Sequence, residues 1–187
     1  MAKFRLNKMV ESASGKIGNM VFKQVGGTTL FTSTPEFKGE ATEKQVAHRE
    51  RFKRAVAYAK ASLADPATKA AYALSVQGED FQNAFTAAVT DYLNSPKVDS
   101  LDVSGYTGKV GESLIAKVYD TFKVTNVVIT ITQADDAILE SGPATLVKGS
   151  VNWSYVTTKA LAAMAGARIK VVVTDNPGNT STSEYML

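Results

Sequence analysis

The hydrophobic period of this chain changes at Asn94-Ser95-Pro96. Before that point apolar residues recur at helical spacing; after it, short runs rich in Val, Ile, Thr and aromatics are separated by Gly, Asp, Asn and Pro. A stripe of period 3.6 fits a helix and an alternation of period two fits a strand, so the chain should be helical from Thr42 to Pro96 and β-rich after it. The expected fold class is α+β, with a domain over residues 1–96 and a second over 97–187.

The first domain is expected to open with strands. Met20–Val25 and Thr28–Ser33 are β-prone runs on either side of Gly26-Gly27, the signature of a β-hairpin with a two-residue turn. Ser12–Gly18 reads as irregular, and Thr34–Gly39, with Pro35, as an extended connector. About three helices follow. Thr42 and Gln45 have the spacing of a capping box, and Val46, Phe52, Val56, Ala59 and Leu63 then fall near one stripe. Asp65-Pro66 starts a second helix, because Pro at the first helical position forfeits no hydrogen bond. Asp80 is a candidate cap for a third helix that buries Phe81, Phe85, Ala88, Val89 and Tyr92.

Beyond Val98, about seven strands in roughly 90 residues match the spacing of a β-sandwich. LIAKVY, NVVITIT, VNWSYVT and ARIKVVVTD are the clearest of them. Alternation places Trp153 with Tyr155, and Ile169 with Val171 and Val173, on inward faces. Asp175–Asn179 reads as the turn between the last two strands.

Charge divides the chain differently. Residues 1–60 hold 12 Lys and Arg against 5 Asp and Glu, and residues 61–187 hold 9 against 13, so a net charge of +3 conceals a basic end and an acidic remainder. There is no Cys and one His, which removes thiolate and His-rich metal sites. The opening MAKFRLNKMVESASGKIGNMVF has no apolar run of the secretion-signal kind, and no window approaches a membrane span. The chain is therefore expected to be cytoplasmic on synthesis, with no membrane partner and no cofactor.

Two resemblances add to this reading. VTNVVITITQADDAILESGPA, the Trp153-Tyr155 strand and RIKVVVTDNPGNTSTSE resemble bacterial immunoglobulin-like domains, which implies an immunoglobulin-like β-sandwich over the last 90 or so residues. Such domains serve adhesion, spacing and decoration alike, so the likeness implies no ligand. Ser14–Phe22, followed by Gln45, His48, Arg49 and Phe52, resembles a group of uncharacterised bacterial proteins with an SGKIG-type opening. That likeness implies an architecture and no mechanism.

Motifs that would name a chemistry fail on spacing. Lys16 in GKIG lacks the GxxxxGK[ST] frame of a phosphate loop, and Ile17 stands where Ser or Thr is needed. His48 and Glu50 lie two apart on a helix and do not face each other. Asp135-Asp136, and Asp175 with Asn176 and Asn179, could offer oxygens to calcium, but no EF-hand pattern surrounds either group, and both read as solvated turns. No catalytic and no metal-ligating residue is assigned. The charges that remain point to assembly: Lys16, Lys23, Arg49, Arg51 and Arg54 are the candidate protein-binding residues, set against an acidic surface of another copy. The expected function is that of a non-enzymatic structural or assembly protein, self-associating as a homo-oligomer or decorating a larger particle such as a bacteriophage virion or a filament. The alternative is nucleic-acid binding through the same basic region.

Overall fold

The computed structural model describes residues 2–3, 14–25, 28–34, 36, 39–76 and 82–187. Two compact units divide the chain, residues 1–43 and 44–187. The described residues form three helices and three four-stranded antiparallel sheets, a mixed α+β content that is mostly β. The expected boundary at 96/97 falls inside the second unit.

In the first unit, β1 (Ala2–Lys3), β2 (Gly15–Ile17), β3 (Met20–Val25) and β4 (Thr28–Ser33) form a sheet in the order β1-β4-β3-β2. The two expected strands are β3 and β4, paired antiparallel from Met20–Ser33 to Val25–Thr28. Gly26 and Gly27 lie outside the described residues, as do Pro35, Arg5 and Lys8. Phe22 and Phe31 are cross-strand partners with ring centroids 5.2 Å apart, the kind of pair that holds register. Part of the segment expected to be irregular is β2, which pairs with β3 because Gly18 takes φ +59 and lets the chain reverse at Gly18-Asn19.

The second unit begins within α1 (Glu43–Ser62), at its second residue, and continues with α2 (Pro66–Ser75) and α3 (Ala84–Leu93). Asp65 caps α2 by accepting the Thr68 amide at 2.8 Å, with Pro66 at the first turn, as the sequence predicts. Asp80 and Phe81 lie outside the described residues, and the cap of α3 is Asn83, whose side chain accepts the Thr86 amide at 2.9 Å. The stripe of α1 is only half realised. Ala55 and Ala59 are fully buried and Val56 and Leu63 partly so, yet Val46 and Phe52 are about half exposed. The reason is tertiary: among the described residues, the later turns of α1 pack against Tyr72, Ala87, Ala88 and Val89, and the earlier turns do not enter that cluster.

The β-rich region contains two sheets that face each other across one apolar core. One runs β5 (Lys97–Asp102), β6 (Ser113–Tyr119), β10 (Asn152–Val156), β9 (Thr145–Leu146); the other runs β12 (Thr180–Met186), β11 (Arg168–Asp175), β7 (Val124–Thr132), β8 (Ile138–Pro143). Burial alternates along the central strands, so Leu114, Ala116 and Val118 from β6 meet Val127, Ile129 and Ile131 from β7 and Ile169, Val171 and Val173 from β11. Tyr155 is buried among them and Trp153 packs partly buried at their margin, as alternation predicts. Each large aliphatic in such a position stabilises the fold by about 1.5–3 kcal/mol.

Ile129 is fully buried and pairs with Val171 at the centre of its sheet. Truncation by Ile129→Ala should cost about 2–5 kcal/mol. Equilibrium urea unfolding followed by far-ultraviolet circular dichroism measures this, and a loss under 1 kcal/mol would contradict the described core.

Candidate functional site

The most unusual chemistry in the molecule lies where the helices meet the sheets. Asp91 is in the last turn of α3, Asp120 follows the end of β6, and Asp175 is the last residue of β11. One carboxylate oxygen from each lies within 4.8 Å of the other two. Asp91 and Asp175 are almost fully buried and Asp120 is partly buried.

Each carboxylate is held by a neighbouring donor. The Tyr72 hydroxyl donates to Asp91 Oδ2 at 2.6 Å. Since that hydroxyl has one proton, it serves as acceptor to its other partners, Tyr58 Oη at 3.0 Å and Asn176 Nδ2 at 3.1 Å. The Lys123 amide donates to Asp120 Oδ2 at 3.0 Å. Asp175 accepts the Asn179 backbone amide through Oδ1 at 2.6 Å and the Asn179 side-chain amide through Oδ2 at 2.7 Å. The same Asn179 amide nitrogen lies 3.1 Å from the Asn94 carbonyl oxygen, so it ties the β11–β12 turn to the end of α3. Gly178, at φ +91, supplies the left-handed residue that this turn requires. Phe122 stacks on Tyr72 with centroids 4.1 Å apart, closing the junction on its apolar side.

Two oxygens stay unsatisfied. Asp91 Oδ1 and Asp120 Oδ1 are buried atoms without a hydrogen-bond partner. Among the described residues, no Lys or Arg forms an ion pair with any of the three carboxylates. Burial is the largest cause raising the Asp91 pKa, to about 7; the Tyr72 hydrogen bond works against it, and the neighbouring charges of Asp120 and Asp175 add to it. Asp175 is also raised, by burial first, against the two hydrogen bonds from Asn179. Burial, with the bond to Asp91, pushes the Tyr72 hydroxyl far above its ordinary range, so it remains a donor at any working pH.

The sequence-derived contact residues lie elsewhere. Lys16 and Lys23 are exposed, and the β2–β3 register puts both on one face of their sheet, since Lys16 pairs with Val21, two residues from Lys23. Arg49 and Arg54 are exposed on α1, well apart around its circumference. Arg51 is exposed but engaged: its Nη2 donates to the Leu93 carbonyl at 2.8 Å, satisfying an orphan acceptor at the end of α3. Its position four residues before buried Ala55 puts it on the packed side of α1, which accounts for that use. His48 is exposed on the same helix.

Sequence reading reached Asp175, Asn176 and Asn179 as a solvated turn; they do form a turn, but Asp175 is buried rather than solvated, because Asn179 ties the turn to the end of α3. It missed Asp91 and Asp120 as their partners. One signal was available: Asp91 is the only charged residue in AFTAAVTDYL and sits at the helix end where negative charge is disfavoured. Asp135 and Asp136 make the expected turn between β7 and β8; Asp136 takes φ +67 and pairs with Arg168. No protein family, curated protein or solved structure matches this chain.

Protonation at the junction gives a signed pH dependence. Folded Asp91 keeps its proton up to about pH 7, whereas an unfolded Asp releases it near 3.8, so between those values the folded state binds more protons. The resulting stability is fully present below the lower value and is lost as pH rises through the upper one. In chelator-treated protein, wild type should therefore lose stability relative to Asp91→Asn between about pH 4 and pH 7, measured by urea unfolding at a series of pH values. A difference that grows in favour of wild type over that range would contradict the geometry. Removing the Tyr72 hydroxyl by Tyr72→Phe leaves Asp91 Oδ2 without its donor and should cost about 1–3 kcal/mol in the same measurement at neutral pH.

Proposed function

We propose that this chain is a non-enzymatic structural or assembly protein, with an N-terminal β-hairpin and helical region and a C-terminal immunoglobulin-like β-sandwich, which associates with further copies of itself or decorates a larger particle. A bacteriophage virion component suits this reading best, and a filament subunit next. The observation that carries it is the amount of apolar surface left at the margins of the two facing sheets. Leu146, Val147 and Val151 are exposed beside the two-residue edge strand β9, Ile138 is 68% exposed at the start of edge strand β8, and Met186 is 69% exposed at the end of edge strand β12. Unpaired strand edges with apolar side chains are the surfaces through which β-rich chains add to one another. Beside β9, a mostly apolar groove of about 260 Å³ is lined by Phe122, Leu146, Val151 and Trp153 among others, and reaches Asp120 and Lys123.

Charge orients this association and apolar surface holds it, because exposed ion pairs contribute only about 0–1 kcal/mol each. Lys16, Lys23, Arg49 and Arg54 are the exposed cations that would face an acidic surface of a neighbouring copy. Arg51 contributes less, because its guanidinium already holds the end of α3. Among the described residues, no helix is long and apolar enough to cross a membrane.

Reversing Arg49 and Arg54 together to Glu, with Arg51 left in place, should lower the assembled fraction in size-exclusion chromatography with light scattering. Helix content should be unchanged, since Glu is a good helix former. If the double variant assembles as wild type does but loses a low-salt shift of DNA or RNA on a native gel, the nucleic-acid reading replaces this one.

A further inference from the structure

We propose that Asp91, Asp120 and Asp175 together bind one hard divalent cation of calcium size, and that this ion fastens the helices to the two facing sheets. The three oxygens all lie within 4.8 Å of one another, near enough for small side-chain shifts to bring them to the 2.3–2.6 Å of calcium–oxygen bonds around one ion. Magnesium demands a near-ideal octahedron at 2.0–2.1 Å and gives up its waters reluctantly, so carboxylates carried on three separate elements suit the more adaptable shell of calcium. An all-oxygen ligand set of negative charge selects against zinc and copper, which prefer nitrogen and sulfur.

Proximity of acidic groups alone would not make a site; the hydrogen bonding does. Asp91 is 0% exposed, and its Oδ1 has no partner although its Oδ2 is held by Tyr72. Asp120 repeats the pattern, with Oδ2 held by the Lys123 amide and Oδ1 buried and unpartnered. A carboxylate fixed through one oxygen while the other is left dry and unpaired is the arrangement in which outer donors orient a metal ligand. The free oxygens carry a desolvation cost that neither a donor nor a basic side chain offsets. A cation removes that cost and the mutual repulsion at once.

The position in the fold also favours positive charge. Asp91 occupies the last turn of α3, the helix end that carries partial negative charge, which Arg51 also meets at the Leu93 carbonyl. Asp175 and Asp120 therefore add their charge to an end that is already electronegative. An open cleft of about 380 Å³, lined by Asn94, Ser95, Lys97, Tyr119 and Asp120, leads from solvent to Asp120 and gives the ion an entry path that water molecules can share to complete its shell.

The test uses the full-length chain, stripped of metal with a chelator and exchanged into chelator-free buffer at neutral pH. Calorimetric titration with calcium chloride should give one site per chain with half-saturation below about 1 mM, and the thermal midpoint should rise by several degrees. Magnesium chloride should bind at least tenfold more weakly. Asp120→Asn and Asp175→Asn should each weaken calcium binding at least tenfold, and Asp120, being partly exposed, is the safer substitution for folding. Terbium luminescence sensitised by the junction tyrosines, displaced by calcium from wild type, gives a reading that needs no variant to fold. Absence of heat, of thermal shift and of terbium signal up to about 10 mM ion would overturn the site. Full calcium affinity in both Asn variants would also overturn it, and equal affinity for magnesium would overturn the size assignment.

Discussion

Burial of two carboxylates, Asp91 and Asp175, beside the partly buried Asp120 is the constraint around which the second unit is arranged. A carboxylate removed from water is costly unless something compensates it, and here the compensation is drawn from every element at the junction. Tyr72 comes from α2, Asn179 from the β11–β12 turn, and the Lys123 amide from the segment after β6. Neither Tyr72 nor Asn179 can be removed without stranding a buried acceptor. The helices are thereby held to the sheets by polar geometry as well as by the stacking of Tyr72 on Phe122.

That dependence runs in both directions. The apolar core between the sheets fixes where β6 and β11 end, and so fixes where Asp120 and Asp175 are presented. The helix cluster of Ala55, Ala59, Ala87 and Ala88 permits close packing because its contacts are methyl groups, and this sets the position of the end of α3 and with it Asp91. Arg51 and the Asn179 amide then close the carbonyls that α3 leaves unpaired. Packing positions the carboxylates, and the carboxylates in turn select which polar side chains the surrounding turns must carry.

The proposed assembly surfaces use different physics from this junction, although the groove beside β9 reaches it at Phe122 and Asp120. They depend on exposed apolar side chains at strand edges and on cations spread over β2, β3 and α1, which can be altered without touching a buried polar group. The junction bears on the stability of the second unit, and the sheet margins bear on what that unit meets.

Local rules made much of this fold legible. The period change at Pro96, the Asp65-Pro66 helix start and the alternating Ile169, Val171 and Val173 are consequences of backbone geometry and side-chain type within a few residues, and each is found where the sequence places it. Within-strand alternation even identified Tyr155 as core. The exposed flank of α1 was not legible, because a stripe states which residues could be buried and says nothing of how far the opposing elements extend. Nor could Arg51 be told from Arg49 and Arg54, since its acceptor is the Leu93 carbonyl, 42 residues away. The sequence by itself determined the three helices, most of the strands and the presence of the Asp175–Asn179 turn. Only the tertiary structure brought Asp91 and Asp120 to that turn, because the position of a carboxylate relative to another on a different element is set by packing over the whole unit and leaves no local pattern in the chain.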